Sequence, residues 1–316
     1  MVLQARYTIG SYRRHYRFHS IVSGTGMKLT FLGTGTSIGV PAIGCQCEVC
    51  RSTDPRDKRL RASALLETDK GLRILIDCGP DLRQQIMNRF GILDAVLITH
   101  SHYDHVGGAD DLRPFAWFGD VDVYASYDVI ETLHTTMPYC FRKQLYPGVP
   151  HLKLHEAKPG VPIYVSRKDD IVVNFPGSGA TLEGVMHKEG RTEVIPKVDE
   201  VLEIIPLTVM HGALPILGYR IGNLAYITDM KSIPAESLPL LKGVKVLVVN
   251  ALRFEKEHHS HQLVDDAIRF AREIGAGETY FTHLTHDIGT HDIANSHLPA
   301  GFHFAYDGQE VRMLDV

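Results

Sequence analysis

The sequence predicts a mixed α/β domain in which two β-sheets pack face to face and helices cover the outside. Short runs rich in β-branched and aromatic residues alternate with loops and lead into a helical segment in each half of the chain. Each half of the chain has strands followed by a helix, and this order suits two sheets with helices on their outer faces. The 316 residues, 44% hydrophobic and 22% charged, can bury the core that such a domain needs.

Each half of the chain contributes a set of predicted strands. The first half gives Leu29–Leu32, Ala64–Glu67, Arg73–Asp77, Ala95–Thr99 and Val121–Tyr124, with helices over Leu82–Phe90 and Val129–Thr135. The second half gives Leu202–Leu207, Gly218–Ile221, Leu224–Thr228, Val244–Asn250 and Thr279–Thr282. Gln262–Ile274 has the apolar spacing of a helix. Several strands end in polar residues, which marks those ends as candidate functional positions.

Two segments stand apart from this pattern. Residues 1–26 carry four arginines, no acidic residue and no continuous apolar core of a secretory signal. We expect a disordered extension or a misassigned start, with a basic tail that contacts RNA or membrane as the alternative. Residues 27–316 then form a single domain with an insertion at about 164–200, where Ile171–Phe175 and Thr192–Pro196 suit a hairpin. The insertion is predicted to be a lid, a dimer contact or a surface loop.

Charge, hydropathy and cysteine content narrow the class of protein. The net charge of −4 gives no global basic field that would favour nucleic acid. No apolar run approaches the roughly 20 residues that span a bilayer. Five cysteines are an odd number, and three of them lie together at Cys45, Cys47 and Cys50. This usage predicts a metal site in a reducing, cytoplasmic environment rather than a secreted disulfide framework.

The loop after the predicted strand Ala95–Thr99 holds four potential metal ligands within six positions. They are His100, His102, Asp104 and His105. Imidazole and carboxylate groups bind zinc and related divalent metals, and the strand would hold the first of them rigidly. The alternative, a histidine-rich surface loop, requires neither this spacing nor further donors downstream.

The His-x-His-x-Asp-His pattern resembles the signature of the metallo-β-lactamase superfamily, whose members are mostly hydrolases with two metals. The resemblance implies a four-layer αβ/βα sandwich with two mixed β-sheets. It places His100 and His102 on one metal, and Asp104 and His105 on the other. The metals that it implies are zinc, manganese or iron.

Three later polar residues, each where an apolar run stops, match the order of the superfamily's remaining motifs. A lone histidine at a strand end is more often structural, but these three follow one another in the order of the motifs. The resemblance implies that His211 completes the first metal site, that His283 completes the second, and that Asp229 bridges both. It also implies that Asp77 supports the metal loop by hydrogen bonds rather than binding metal.

The cysteine cluster supplies three thiolates within six positions, whereas a structural zinc takes four ligands. Buried unpaired thiols are the alternative. The glycine-rich turn before it lacks the lysine of a phosphate-binding P-loop. This stretch resembles the phosphoribosyl cyclic phosphate phosphodiesterases, the PhnP-like subgroup of the superfamily. That resemblance implies one structural zinc held by Cys45, Cys47, Cys50 and His286.

The run His258-His259-Ser260-His261 offers a proton donor. Similarity to the same subgroup, and to the tRNA 3′-processing nuclease, implies that His261 protonates the leaving group or contacts phosphate. His258 and His259 are expected to be solvated residues at a helix entry. Arg113 is expected to pair with a neighbouring aspartate rather than with substrate.

Together these resemblances imply a metal-dependent phosphodiesterase that hydrolyses a small cyclic phosphate or nucleotide-like ester. Asp104, Asp229 and His261 are its predicted catalytic residues, and a hydroxide activated by two metals is the expected nucleophile. The first alternative is a tRNA 3′-processing endoribonuclease, although the 18 positions between His211 and Asp229 leave no room for its RNA-binding arm. Another metallo-β-lactamase-fold hydrolase, of thioesters or lactams, or a non-catalytic zinc scaffold, also remains open. We expect a small phosphorylated substrate, no nucleic acid or membrane partner, and a possible homodimer.

Overall fold

The computed structural model describes residues 26–146, 148–175 and 190–313. The prediction for the N-terminal extension therefore lies outside the described residues, apart from Gly26. Strands are β1 Met27–Gly33, β2 Ser63–Thr68, β3 Arg73–Ile76, β4 Ala95–Leu97, β5 Val121–Ala125, β6 Leu152–Glu156, β7 Ile163–Val165, β8 Ile171–Phe175, β9 Arg191–Ile195, β10 Leu202–His211, β11 Leu214–Ile221, β12 Leu224–Ile227, β13 Val246–Asn250, β14 Glu278–Thr282, β15 Phe302–Phe304 and β16 Glu310–Met313. The α-helices are α1 Glu48–Arg51, α2 Leu82–Ile86, α3 Tyr103–Val106, α4 Tyr127–Thr136, α5 Val264–Ile274 and α6 His291–Ser296, and the longest 3₁₀ segment is Ala109–Phe118.

Two seven-stranded mixed sheets form the centre of the structure. The first has the order β16-β1-β2-β3-β4-β5-β6, and the second has the order β15-β14-β13-β12-β11-β10-β7. Strands β3 to β6 run parallel, as do β12 to β15, so within each set the carboxyl ends lie at one edge of the sheet. Those edges carry most of the polar residues singled out above.

Three apolar layers hold the two sheets and the helices together. Side chains from the inner faces, such as Phe31, Tyr219 and Tyr226, form the core between the sheets. Helices α2 and α4 cover the outer face of the first sheet, and α5 covers that of the second through Ala267 and Phe270. The predicted four-layer αβ/βα sandwich is confirmed. Successive side chains along the strands point alternately to the layer between the sheets and to the layer beneath the helices.

The predicted strands all form, with shifts at their ends. Strand β4 stops at Leu97 rather than Thr99, because Ile98 and Thr99 leave the sheet to begin the loop of metal-binding candidates. The helix predicted to Phe90 ends at Ile86. Strands β6, β7, β15 and β16 were not expected. Strand β15 has only three residues, and β16 has four and pairs with β1 near the other end of the described chain.

The predicted insertion is partly described. Strands β8 and β9 pair as an antiparallel hairpin with Ile171 opposite Ile195, which confirms the expected hairpin. Tyr164 and Val165 lie in β7, which pairs with β10 and so belongs to the second sheet. Phe175 packs on Trp117 of the Ala109–Phe118 segment.

Among the described residues, no helix is long and apolar enough to cross a membrane.

Candidate metal centre

The candidate site lies where the carboxyl ends of both sheets meet. Asp77 follows β3, Asp229 follows β12 and His283 follows β14, and all three have positive φ, at 59°, 56° and 55°. L-residues rarely adopt this left-handed conformation, and it is concentrated at functional sites. Here each strand turns sharply as it ends, so the chain leaves the sheet and the polar side chain stays at its edge. The backbone N–H of Leu217 donates to the Thr99 oxygen at 2.9 Å and joins the two sheets at this edge.

Three histidines, two from the loop after β4 and one at the end of β10, form the first donor group. They are His100, His102 and His211, whose ligand atoms lie within 4.8 Å of one another. His100 Nε2 and His102 Nδ1 are 3.0 Å apart. The rings of His102 and His211 stand edge to face with centroids 5.1 Å apart. This group can hold one metal ion through imidazole nitrogens.

The second donor group contains Asp104, His105 and His283. His105 Nε2 lies 3.3 Å from Asp104 Oδ2, and His283 Nε2 lies 3.5 Å from the same oxygen. Asp229 stands between the groups, with Oδ2 at 3.2 Å from His105 Nε2 and Oδ1 at 3.1 Å from His283 Nε2. Its carboxylate also falls within ligand distance of His100, so it is placed to contact both groups.

A buried outer shell fixes the orientation of these side chains. Asp77, fully buried, accepts from His105 Nδ1 at 2.7 Å and from the Thr99 backbone N–H at 2.8 Å. His211 Nδ1 lies 2.8 Å from the main-chain oxygen of Asp229 and 3.1 Å from that of Ser260. A carbonyl oxygen can only accept, so His211 Nδ1 carries the proton and Nε2 is left free to bind a cation. The predicted supporting contacts of Asp77 are present.

The electrostatics of the site fit bound cations. The pKa of Asp229 is held well below its usual range because His283 and His105 outweigh the effect of burial. Burial lowers the pKa of His100 well below its usual range. His105 Nε2 and His283 Nε2 are buried and have no hydrogen-bond partner in the described chain, although both face carboxylates. Buried nitrogens without hydrogen bonds are rare, and here they converge with two carboxylates in the donor set that divalent metals take.

His261 lies against the same centre. Its Nδ1 is 3.7 Å from Asp229 Oδ1, and its ring stacks on His283 with centroids 4.9 Å apart. Burial, and then His283, lowers the pKa of His261 to about 3. The structure also brings His261 within ligand distance of His211 and Asp229, which makes it an alternative donor for a metal.

The four residues of the cysteine cluster meet at one point. Cys45, Cys47, Cys50 and His286 offer ligand atoms within 4.8 Å of one another. Cys47 Sγ lies 3.3 Å from His286 Nδ1. The Cys50 backbone N–H lowers the pKa of the Cys47 thiol to about 6, whereas burial raises that of Cys50 to about 11. All five cysteines are free, so the described part of the chain offers this group as thiols for a closed four-ligand site.

Some features of the site could not be predicted from sequence. Ser260 contributes through its main-chain oxygen, which no side-chain pattern reveals. His258 was expected to be solvated; it is half-buried, and its ring packs on His261 with centroids 4.9 Å apart. Arg113 forms a bidentate ion pair with Asp110, as predicted.

Comparison with known proteins assigns the chain to a family. Residues 72–284 match the family described as the Beta-lactamase superfamily domain. The chain belongs to the metallo-β-lactamase superfamily. Its sandwich of two mixed sheets and its divalent-metal donor set agree with a superfamily of metal-dependent hydrolases.

Three similar proteins carry different names. A solved structure described as a new diphosphatase from the PhnP family has 34% identity, covers 92% of this chain and 98% of that chain, and has a TM-score of 0.73. A Porphyromonas gingivalis protein named octanoyltransferase is 44% identical over 285 residues, which is 90% of this chain and 51% of that protein. The chain thus spans about half the length of this relative. Coenzyme PQQ synthesis protein B of Rhodopseudomonas palustris is 28% identical over 317 residues, covering 91% of this chain and 100% of that protein.

The Asp77–His105 contact in this metallo-β-lactamase-fold chain gives a first prediction. Asn tolerates the positive φ of Asp77 but lacks the charge that holds the His105 imidazole. We expect Asp77→Asn to weaken metal binding by about 10–100-fold, the usual effect of removing such a supporting carboxylate. Competition with a chromophoric chelator measures this. Equal affinity in the two proteins would show that Asp77 does not orient a ligand.

Proposed function

We propose that this protein is a metal-dependent phosphodiesterase that hydrolyses a small cyclic phosphate or nucleotide-like diester. The observation that carries the proposal is the convergence of seven donor side chains, Asp229 among them, with His261 as an eighth polar side chain beside Asp229. His100, His102 and His211 would hold one divalent cation. Asp104, His105 and His283 would hold a second, with Asp229 shared between them. The solved PhnP-family diphosphatase, at 34% identity, supports phosphate ester chemistry.

In this proposal, the acidic residues of the centre retain the cations and their neighbours hold them in position. When bound, two divalent cations lower the pKa of a water molecule and neutralise charge on a phosphate. Asp229 and Asp104 set the negative charge that retains those cations. Thr228 holds Asp229 in place by donating to its Oδ2 at 2.6 Å. The rigid strand ends keep the donors fixed, so little reorganisation is needed as charge develops in the transition state.

His261 is the proposed proton donor. A phosphodiester brings negative charge beside this imidazole, and nearby negative charge raises the pKa of a histidine. In the proposed reaction a hydroxide, formed when a water molecule has lost a proton to solvent, bonds through its oxygen to phosphorus, and the bond to the leaving oxygen breaks. That leaving oxygen takes the electron pair of the broken bond and the proton from His261.

Replacing His261 tests this role through the leaving group. We expect His261→Ala to reduce turnover of an alkyl phosphodiester by about 10²–10⁴-fold, the usual contribution of a general acid. A p-nitrophenyl ester should lose much less, because nitrophenolate leaves without protonation. Metal content, measured by mass spectrometry of the native protein, should not change. Loss of a metal equivalent would instead identify His261 as a ligand.

A substrate panel tests the activity itself. Reconstituted protein should hydrolyse bis(p-nitrophenyl) phosphate and at least one cyclic nucleotide or phosphoribosyl cyclic phosphate in a metal-dependent manner. Cleavage of pre-tRNA alone would favour the tRNA 3′-processing alternative. That alternative has little structural support here, because β10 and β11 are joined by the two residues Gly212 and Ala213, with His211 paired directly to Leu214.

Hydrolysis of an octanoyl thioester is a second candidate function. The name of the 44% identical P. gingivalis protein favours it, although the matched region covers only 51% of that protein. The same metal centre could act on a thioester carbonyl. An octanoyl thioester therefore belongs in the panel, and its turnover in the absence of phosphodiester turnover would replace the leading proposal.

A further inference from the structure

The sheet edge that carries the candidate metal ligands also carries a buried amide that belongs to neither donor group. Asn250 ends β13, which lies between β12 and β14 in the second sheet. Strand β12 leads to Asp229 and strand β14 leads to His283. The Asn250 side chain is fully buried. A buried amide is costly unless hydrogen bonds compensate for the lost water, so its partners indicate its role.

The Asn250 side chain replaces hydrogen bonds that β12 loses where it turns away from the sheet. Strand β12 ends at Ile227, and the chain turns at Asp229, whose φ is 56°. The Met230 backbone N–H donates to Asn250 Oδ1 at 2.7 Å, and Asn250 Nδ2 donates to the Met230 oxygen at 3.0 Å. One side chain therefore satisfies both main-chain groups of the residue after Asp229, as buried backbone groups require.

A second buried amide, Gln262, extends this contact to the loop of the proposed proton donor. Gln262 Nε2 donates to the Asn250 main-chain oxygen at 2.9 Å, and the Gln262 backbone N–H donates to the Met230 oxygen at 3.2 Å. Gln262 directly follows His261, and Met230 directly follows Asp229. The side chains of Asn250 and Gln262, called the amide clamp below, therefore join the residue after the shared carboxylate to the residue after the proton donor.

Contacts inside the centre depend on the two segments that the amide clamp joins. His261 Nδ1 lies 3.7 Å from Asp229 Oδ1. His211 Nδ1 lies 2.8 Å from the main-chain oxygen of Asp229 and 3.1 Å from that of Ser260. One of these oxygens belongs to each segment. A shift of either segment would therefore change both the separation of Asp229 from His261 and the orientation of the His211 ring.

We propose that the amide clamp is a positioning device, which fixes Asp229 as the shared metal ligand and sets the distance of His261 from that carboxylate. Asn250 acts on Asp229, because both of its side-chain hydrogen bonds go to the next residue. Gln262 acts on His261, its neighbour in the chain. The part that concerns Asp229 rests on the donor groups alone, and the part that concerns His261 rests on the proposed function. Small displacements of ligands or catalytic groups lower metal affinity and turnover.

Metal affinity tests the Asn250 half of the amide clamp without any turnover. Leucine is close to asparagine in size but can neither donate to nor accept from the Met230 main chain. We expect Asn250→Leu to raise the Kd of Zn²⁺ at the active centre by about 10–100-fold, the usual effect of removing a contact that supports metal ligands. Competition with a chromophoric chelator measures this Kd. Asn250→Ser, whose side chain is too short to reach both groups, should show the same rise and replaces the leucine variant if that protein does not fold.

Thr68→Val is the matched control for a loss of stability alone. The buried Thr68 hydroxyl donates to Glu200 at 2.6 Å and accepts from the Leu72 backbone N–H at 3.1 Å. The register of β2 and β3 places it at the end of the sheet away from Asp77. This variant should lower the midpoint of thermal unfolding and leave the Kd of Zn²⁺ within about twofold. If Asn250→Leu also lowers the midpoint without changing the Kd, Asn250 only stabilises the fold and the proposal is overturned.

The leaving group tests the Gln262 half. Gln262→Leu keeps the backbone hydrogen bond to Met230, so the Kd of Zn²⁺ should stay within about twofold. Turnover of an alkyl phosphodiester should fall by about tenfold and that of bis(p-nitrophenyl) phosphate by less than about twofold, because only the alkyl leaving group needs the proton of His261. Equal losses for the two esters would overturn this half. If wild-type protein hydrolyses neither ester, the proposed function and the role at His261 fail together, whereas the Kd of Zn²⁺ judges Asn250 separately.

Discussion

Replacing Asp229 by asparagine is expected to reduce kcat/KM for bis(p-nitrophenyl) phosphate by about a hundredfold to a few thousandfold. Asn keeps the size of the side chain and tolerates its positive φ of 56°. It removes the one charge that both donor groups share, since Asp229 lies 3.2 Å from His105 Nε2 in the second group and within ligand distance of His100 in the first. Leaving buried charges without their partner costs about 3–5 kcal/mol, and each 1.4 kcal/mol corresponds to a factor of ten.

The same variant should hold less metal. Elemental analysis of protein reconstituted with excess metal should show fewer than two equivalents in the active centre. The Asp265→Asn control changes an exposed carboxylate on α5 and should leave metal content and kcat/KM as in the wild type. An Asp229→Asn protein with full activity would mean that no cation is shared at this position.

Replacing Cys47 by serine is expected to remove one equivalent of zinc and to destabilise the protein. The pKa of the Cys47 thiol is lowered to about 6, and its sulfur lies 3.3 Å from His286 Nδ1. His286 follows the metal-binding candidate His283 by three residues. A zinc ion with four protein ligands would link the loop before α1 to the segment after β14, which carries His283. We expect a loss of about 3 kcal/mol, which lowers the midpoint of thermal unfolding by about 6–12 °C.

Cys140→Ser supplies the control for this variant. Cys140 is a buried thiol in the apolar layer beneath α4, remote in sequence from the cluster, so its replacement should leave the zinc content unchanged. Calorimetry and a colorimetric zinc assay on the two variants separate loss of a ligand from loss of packing. Full zinc content in Cys47→Ser would show that this thiol is not a ligand.

Much of the fold and the donor positions could be predicted because the local pattern carries them. Strands such as Ala95–Leu97 are continuous apolar runs, and each stops at a polar residue that the structure places at the sheet edge. His211, Asp229 and His283 were assigned because their order matches that of the superfamily's motifs. The structure brings Asp229 and His283 to one edge because β12, β13 and β14 are parallel. The sequence pattern therefore translates directly into a spatial cluster.

The remaining features depend on contacts that no local pattern encodes. Strand β16 forms because it pairs with β1, nearly 300 residues earlier in the chain. Ser260 accepts a hydrogen bond from His211 through its main-chain oxygen, an atom that every residue type has. His258 was predicted as solvated from its polar neighbours, yet tertiary packing sets its ring against His261. Propensity and spacing give no information on such long-range contacts.

Titration of metal into metal-free protein, with bound metal and phosphodiester turnover followed together, tests the central claim most directly. Two cations in the centre around Asp229 and one in the cysteine cluster predict saturation at three equivalents per chain. Turnover of bis(p-nitrophenyl) phosphate should reach its maximum only when all three are bound. Full turnover at one equivalent, or no turnover at three, would contradict a phosphodiesterase with two metals in its active centre.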